Sequence, residues 1–376
     1  MRHVAVLDLE IYPNLALIGM KDVATGKVAQ FEYPFDLDRL RKVLTTYQII
    51  TFNGLNYDVP LLLYMLKGAT PEQLKHASDR IIVGGLKPWT FEGEFGVICN
   101  DPNLSHIDLM EVAPGKGSLK LYGARMHSHT IQDLPYPPET VLTEEQKEVV
   151  RVYSANDLQL TVDLYNTLKT QLELREAMSQ EYGIDVRSKS DAQIAEAVMK
   201  KEMERITNHV IKKPAKPSDQ FMFRYTVPSW MDFSCLDILD EIRQAEFRLS
   251  DAGKVLMPPA LANRKIKLEK GVYRMGIGGL HSSETRVQHH ADAEYALIDR
   301  DVTSYYPAII LNLELFPKEL GRPFLDVYRK LVNDRIAAKR RAGELKKEIA
   351  NVKQTIYNLE NGKEEKQDLP PAPSVG

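Results

Sequence analysis

Residues 3–9, HVAVLDL, form an apolar, Val-rich run of strand length that carries a carboxylate at Asp8 and leads into a second at Glu10. Such a run predicts a buried strand. Side chains alternate along a strand, so Asp8 and Glu10 project from one face while Leu7 and Leu9 point to the other. Buried carboxylates are costly to crowd together unless cations neutralise them. The chain therefore has to fold so that this strand is covered and its acidic face is served by positive charge.

Two further acidic positions follow in order. Asp58 lies in TFNGLNYDVPLL, and Asp157 lies in VYSANDLQL together with Tyr153. In a helix, residues four apart share a face, so Tyr153 and Asp157 project together. Any one of these acids alone is an ordinary surface charge. The ordered set, with Asn53-x-x-x-Tyr57-Asp58 and Tyr153-x-x-x-Asp157, is specific. A pair of divalent ions roughly 4 Å apart needs carboxylate oxygens converging from several elements. A strand pair, a loop–helix residue and a helix residue supply them. One ion would activate a water and the other would stabilise a leaving 3′ oxygen, with the Tyr153 hydroxyl orienting the water.

The 376-residue chain is long enough for two or three domains. Its net charge of −3 gives no global basic signature, so contact with nucleic acid has to come from local patches and metals. Two cysteines, Cys99 and Cys235, exclude a disulfide framework and a zinc ribbon and fit a reducing cytoplasm. The N-terminus shows no signal-peptide pattern, and no apolar run is long enough to span a membrane. Strands are expected in LALIGMKD, KVAQFEYP, YQIITFNG and SHIDLMEV. Helices are expected in LDRLRKVLTTY, in the segment opening at YDVP, and from an N-cap at Thr143 onward. This pattern predicts an α/β layered domain over roughly the first 170 residues. A helix over 188–208 and a Pro- and Lys-rich linker, KKPAKPSD, follow. Then come a helix in SCLDILDEIRQAEFRLSD, strands in IKLEKGVYRMGIGGLHSS and AEYALIDRDVT, a helix from YYPAII, and a long charged helix to about 360. The tail 362–376 is expected to be disordered.

At the acidic set the sequence resembles the DEDDy 3′–5′ exonucleases, which have an RNase H-like fold. The resemblance implies Asp8, Glu10, Asp58 and Asp157 as ligands of two Mg²⁺ or Mn²⁺ ions, Tyr153 as the water-orienting residue, and Asn53 as a contact near the primer terminus. Phe52 and Tyr57 are suited either to stacking on bases or to ordinary core packing. Ser118, Leu119 and Lys120 lie in GKGSLKLYG, a Gly-flanked basic loop that either touches phosphate or is a solvated turn.

A second signal is ALIDRDVTSYYPAII, which places Asp301 at a predicted strand end before a turn and a helix start. It looks like motif A of the family B DNA polymerases, Asp-x-x-Ser-x-Tyr-Pro, here Asp301, Ser304, Tyr306 and Pro307. The resemblance implies Asp301 as a catalytic metal ligand and Tyr306 as the gate against a ribose 2′-hydroxyl, with Ser304 nearby at the nucleotide. MGIGGLHSSE resembles the Gly-Gly motif that contacts template, implying Gly278, Gly279, His281 and Ser282; a β-turn also explains the glycines. The segment YGIDVRSKSDAQIAEAV looks like the phage branch of the family. Arg335 and Lys339 share a face of the long basic helix, which also carries Arg340 and Arg341. They face incoming triphosphate in the family reading or solvent in the plain one.

The family also requires a second fingers helix motif, Lys-x-x-x-Asn-x-x-x-Gly, and a second palm carboxylate in Tyr-x-Asp-Thr-Asp. Neither follows Asp301 in this sequence. The expectation is thus the N-terminal part of a phage-type family B polymerase acting in DNA replication. Residues 1–175 form the proofreading exonuclease domain, 176–225 connecting helices and linker, 226–320 a partial α+β palm, and 321–361 a fingers-like helix. Implied partners are primer-template DNA with its single-stranded 3′ end, dNTPs, and a second polypeptide completing palm, fingers and thumb, in a cytoplasmic setting without membrane. The alternatives are a stand-alone 3′–5′ exonuclease with a DNA-binding appendage and a non-catalytic assembly subunit.

Overall fold

A computed structural model describes residues 3–115, 117–212, 221–226, 228, 238–250, 253–268 and 271–360. The linker residues 213–220, Cys235 and the tail 361–376 lie outside the described residues. The chain divides into two compact units, Met1–Arg205 and Ile206–Gly376.

The first unit is α/β. It opens with β1 (His3–Tyr12), β2 (Leu15–Asp22), β3 (Val28–Glu32), α1 (Leu37–Thr46), β4 (Tyr47–Thr51), α2 (Asp58–Met65), α3 (Pro71–Ile82) and α4 (Pro88–Phe95). It continues with β5 (His106–Asp108), α5 (Leu109–Val112), α6 (Leu119–Arg125), α7 (Glu144–Thr167), α8 (Lys169–Tyr182) and α9 (Asp191–Thr207). The sheet order is β3-β2-β1-β4-β5. β2 is antiparallel to both β1 and β3, while β4 runs parallel to β1 and to β5. β1 is therefore central, which is why its apolar run is nearly continuous. One core cluster packs α1–α4 on one face, with Leu7, Leu9 and Leu62 at its heart, and a second packs Val6, Ile50, Leu158 and Val162 on the other.

Two contacts decide how α7 lies on the sheet. Asn14, in the β1–β2 turn, donates through Nδ2 to the Leu142 carbonyl at 2.8 Å and accepts from the Leu142 N–H at 2.9 Å. The chain then enters α7 through a capping box between Thr143 and Gln146. Farther along, Gly19 meets the helix. A Cβ there would lie 2.6 Å from Ser154 Oγ and 3.0 Å from a Leu158 methyl. Only a residue without a side chain allows this closeness. Helices α8 and α9 belong with this unit because buried Arg175 on α8 pairs with Asp191 at 2.7 Å and donates to the Lys189 carbonyl at 2.9 Å.

The second unit contains β6 (Met222–Arg224), α10 (Ile238–Gln244), β7 (Glu246–Leu249), β8 (Val255–Leu256), α11 (Pro259–Ala262), β9 (Lys265–Leu268), β10 (Gly271–Gly276), β11 (Gly279–Ser282), α12 (Tyr305–Asn312) and α13 (Pro323–Glu360). Two three-stranded antiparallel sheets, β6-β7-β8 and β9-β10-β11, share a small core of Ile238, Phe247, Leu261 and Ile266. Two local expectations change here. SCLDILDEIRQAEFRLSD does not continue as one helix, because Glu246–Leu249 pairs with Met222–Arg224. Residues 293–301 do not form a strand. Tyr295, Leu297 and Ile298 are exposed, and without a ladder partner among the described residues an isolated strand is not stable. Among the described residues no helix is long and apolar enough to cross a membrane.

Candidate active site

The first unit gathers the acidic set where its sheet meets its helices. β1 supplies Asp8 and Glu10, and the first turn of α2 supplies Asp58. The buried face of α7, which repeats at Val150, Tyr153, Asp157 and Thr161, supplies Tyr153 and Asp157. Glu10, Asp58, Asp157 and Tyr153 are buried, and Asp8 is partly so.

The electrostatics show that these groups share one environment. Asp8 is raised to about 7, first by burial and then by the Asp157 charge. Glu10 is pushed well above the usual carboxylate range by burial and by Asp8, Asp157 and Asp58, with Lys120 opposing. Asp58 is raised well above that range by burial, then by Asp8 and Asp108, and the Leu9 N–H partly offsets this. Asp157 is raised by burial and held back by hydrogen bonds from Tyr153 and Asn156 and by the charge of Lys120. The Tyr153 hydroxyl donates to Asp157 one helical turn away, and burial with that acidic neighbour drives its own pKa up.

The donor set suits a hard divalent cation, which takes carboxylate oxygens. Asp58 Oδ1 is buried with no hydrogen-bond partner, an open acceptor within a field of like charge. Among the described residues no group of three or more His, Cys, Asp or Glu side chains is arranged so that it could hold a metal ion.

Lys120 corrects the expected basic loop. Ser118 caps α6 by accepting from the Leu121 N–H, so Leu119 and Lys120 begin a helix. Lys120 Nζ lies 5.3 Å from the centre of the Tyr153 ring and 3.6 Å from Asp133. The cation named for phosphate contact is thus beside the carboxylates.

Asn53 is held in the left-handed region, φ 66°, with its N–H donating to buried Asp108 at 2.8 Å. Asp108 also accepts from Leu55 N–H at 3.0 Å and Met110 N–H at 2.9 Å. This carboxylate, which the sequence reading passed over, fixes the loop that leads to Asp58. Its signal was an acid placed to cap the short helix after HID. Beside it, Thr51 Oγ1 bonds His106 Nε2 at 2.7 Å, and burial lowers His106 to about 4, so the ring is neutral. Phe52 packs against Tyr122 edge-on, and Tyr57 packs on the main core with its hydroxyl 2.9 Å from Ser78 Oγ.

In the second unit, Gly278 and Gly279 lie at the β10–β11 turn, where Gly279 begins β11. The Tyr306 hydroxyl donates to the Gly278 carbonyl at 2.7 Å. Arg335 donates to Ser304 Oγ at 3.2 Å, and Ser304 sits at φ 53° at the head of α12. Lys339 lies one turn beyond Arg335 on α13, and His281 pairs across from Arg274. Asp301 is exposed in irregular chain before α12. The structure therefore joins Gly278 to Tyr306 and Ser304 to Arg335. Comparison with protein-family models, with curated proteins and with solved structures gives no match to this chain.

Proposed function

We propose that the first unit is a metal-dependent 3′–5′ exonuclease of the DEDDy type, carried on the N-terminal part of a phage-type family B DNA polymerase. The observation that carries the reading is the gathering of Asp8, Glu10, Asp58 and Asp157, from three separate elements, into one mutually repelling group with Tyr153 bound to Asp157. The mixed sheet order β3-β2-β1-β4-β5 supports an RNase H-like fold. Mg²⁺ or Mn²⁺ ions held by the four carboxylates would supply charge against the developing negative charge and lower the pKa of a nucleophilic water. Tyr153 orients that water through its hydroxyl. Asn53 and Phe52, on the loop between β4 and Asp58, would contact a single-stranded 3′ end. In the second unit, Asp301, Ser304, Tyr306 and Arg335 form part of a nucleotide site, which residues outside this sequence would complete with a second carboxylate.

A stand-alone exonuclease is the second reading. It is favoured by the confinement of all five residues to the compact unit Met1–Arg205. For both readings the test is degradation of a 5′-labelled single strand with Mg²⁺ or Mn²⁺. Wild type is expected to shorten the strand from its 3′ end, and Asp8→Ala combined with Glu10→Ala is expected to abolish this. Equal rates for the two proteins would reject the site.

A further inference from the structure

β5 is the edge strand of the first unit's sheet and only three residues long, yet two of its side chains serve one loop. His106 and Asp108 are two apart and so share a face of the strand. Both reach the segment that joins β4 to α2. Asp108, 1% exposed, accepts the Asn53 N–H on Oδ1 at 2.8 Å and the Leu55 N–H on Oδ2 at 3.0 Å. His106 Nε2 is bonded to Thr51 Oγ1 at 2.7 Å. The Thr51 side chain in turn fills the space where Gly54 would carry a Cβ. One strand thus grips the segment at 51, 53, 54 and 55. The Asp108 backbone is itself held, its N–H donating to Ser188 Oγ at 3.0 Å.

What the grip fixes is Asn53. Its φ of 66° is left-handed, a conformation that costs a non-glycine residue and persists where the surroundings impose it. Here they impose it from both sides of the residue. The N–H goes to Asp108, and the carbonyl accepts from the N–H groups of Asn56 and Tyr57, each at 3.2 Å. Glycine would adopt the same φ without that cost. The Asn53 side chain is bonded on its oxygen alone, with Oδ1 accepting from Asn56 Nδ2 at 3.1 Å. Its own Nδ2 group has no protein partner among the described residues, which leaves a donor suited to a phosphate or sugar oxygen. We propose that Asp108 is a positioning residue for the single-stranded 3′ end, holding Asn53 in the conformation that offers its Nδ2 amide to the terminal nucleotide. This deepens the exonuclease reading and rests on it.

The test measures binding of a 5′-fluorescein single-stranded oligodeoxynucleotide with a free 3′ end to the full chain. Ca²⁺ is the divalent ion, and excess circular single strand occupies sites that need no end. Asn53→Ala and Asp108→Asn are each expected to weaken binding by about 10-fold. The asparagine exchanges one carboxylate oxygen for a donor, so at least one loop N–H loses its acceptor. The double variant is expected to stay near 10-fold, against about 100-fold for independent sites. Thr70→Ala removes the cap of α3 in the same unit and is expected to lower Tm with binding unchanged, as a purely structural change would. Ser188→Ala leaves every bond to the Asp108 carboxylate in place and covers the case in which Asp108→Asn does not fold. It is expected to weaken binding by roughly 3-fold, and to have no effect once Asn53 is alanine. Wild-type affinity in both Asp108→Asn and Ser188→Ala, or losses that multiply with that of Asn53→Ala, overturns the positioning role and leaves the exonuclease reading intact. Coupled losses in end binding without cleavage in Mg²⁺ or Mn²⁺ overturn the exonuclease chemistry and keep the role of Asp108. A wild-type chain that binds no strand end overturns both.

Discussion

The Lys120 ammonium lies 5.3 Å from the centre of the Tyr153 ring. It stands where a cation both steadies the aromatic face and opposes the charge of Glu10 and Asp157. The two residues come from α6 and α7, so the packing of those helices decides where the Tyr153 hydroxyl points.

A residue that only orients water should matter less than a metal ligand. Tyr153→Phe is expected to slow single-turnover cleavage by about 10-fold to 10³-fold, the range of losing one positioned group. Asp157→Ala is expected to cost more. Lys120→Gln is expected to fall between wild type and Tyr153→Phe, with partial recovery in Lys120→Arg. A reversed order of Tyr153→Phe and Asp157→Ala would reject the assigned roles.

Protonation of the acidic set sets a pH dependence of stability for the metal-free protein. Asp8 is raised from 3.8 to about 7, and Glu10, Asp58 and Asp157 are raised in the same direction. The folded state therefore holds more protons than the unfolded chain between these values, and stability is lost as pH rises through that window. In EDTA, Tm is expected to fall from about pH 4 toward pH 7 through this contribution. Millimolar Mn²⁺ is expected to flatten the fall, because the ion replaces the protons. Thermal melts at several pH values, with and without Mn²⁺, read both effects. A slope unchanged by Mn²⁺ would remove the metal from this cluster.

Gly19→Ala places a Cβ against Ser154 and Leu158 and pushes α7 away from β2. The cost is expected to be on the order of 1–3 kcal/mol, as for overpacking elsewhere in cores. Because Asp157 rides the same helix, activity should fall further than the lost folded fraction explains. Urea titration paired with cleavage at saturating metal separates the two. Activity that tracks stability alone would show that α7 has room to adjust.

The nucleotide site proposed for the second unit lacks a second palm carboxylate within this sequence. With Asp8→Ala and Glu10→Ala in place, the chain alone should not extend a primer in Mg²⁺ and four dNTPs. A polypeptide carrying the second palm carboxylate should enable extension. Asp301→Ala should then stop extension in an otherwise wild-type chain while leaving 3′ degradation intact. Robust extension by the lone chain would show that it supplies both carboxylates.

Much of the first unit is legible in residue order because its signals are local. HVAVLDL is apolar enough to be recognised as a buried strand, and Thr143 marks the start of α7. α6 was not legible. LKLYGAR is one short helix with a glycine inside it, and its flanking glycines suggest a turn. Asp108 escaped notice because its work is to bind amides more than fifty residues away in sequence, at Asn53 and Leu55. Gly19 likewise gains its meaning only from a helix that arrives much later in the chain. In the second unit the strand expected before Asp301 had the right composition, but composition cannot provide a pairing partner.

The central position of β1 has a consequence for how the site can respond to what it binds. Asp8 and Glu10 sit on a strand laddered to β2 along its length and to β4 at its start. Shifting them means breaking sheet. Asp58, Asp157, Tyr153 and Lys120 sit on helices that can slide or tilt by small amounts over packed side chains. Adjustment to ions of different radius, or to a strand end arriving at a different angle, therefore falls to the helical side, against a fixed anvil on the sheet. Amides of Leu7–Glu10 should accordingly be among the slowest in the unit to exchange with solvent, and those of α6 among the first to change when metal or a strand end is added.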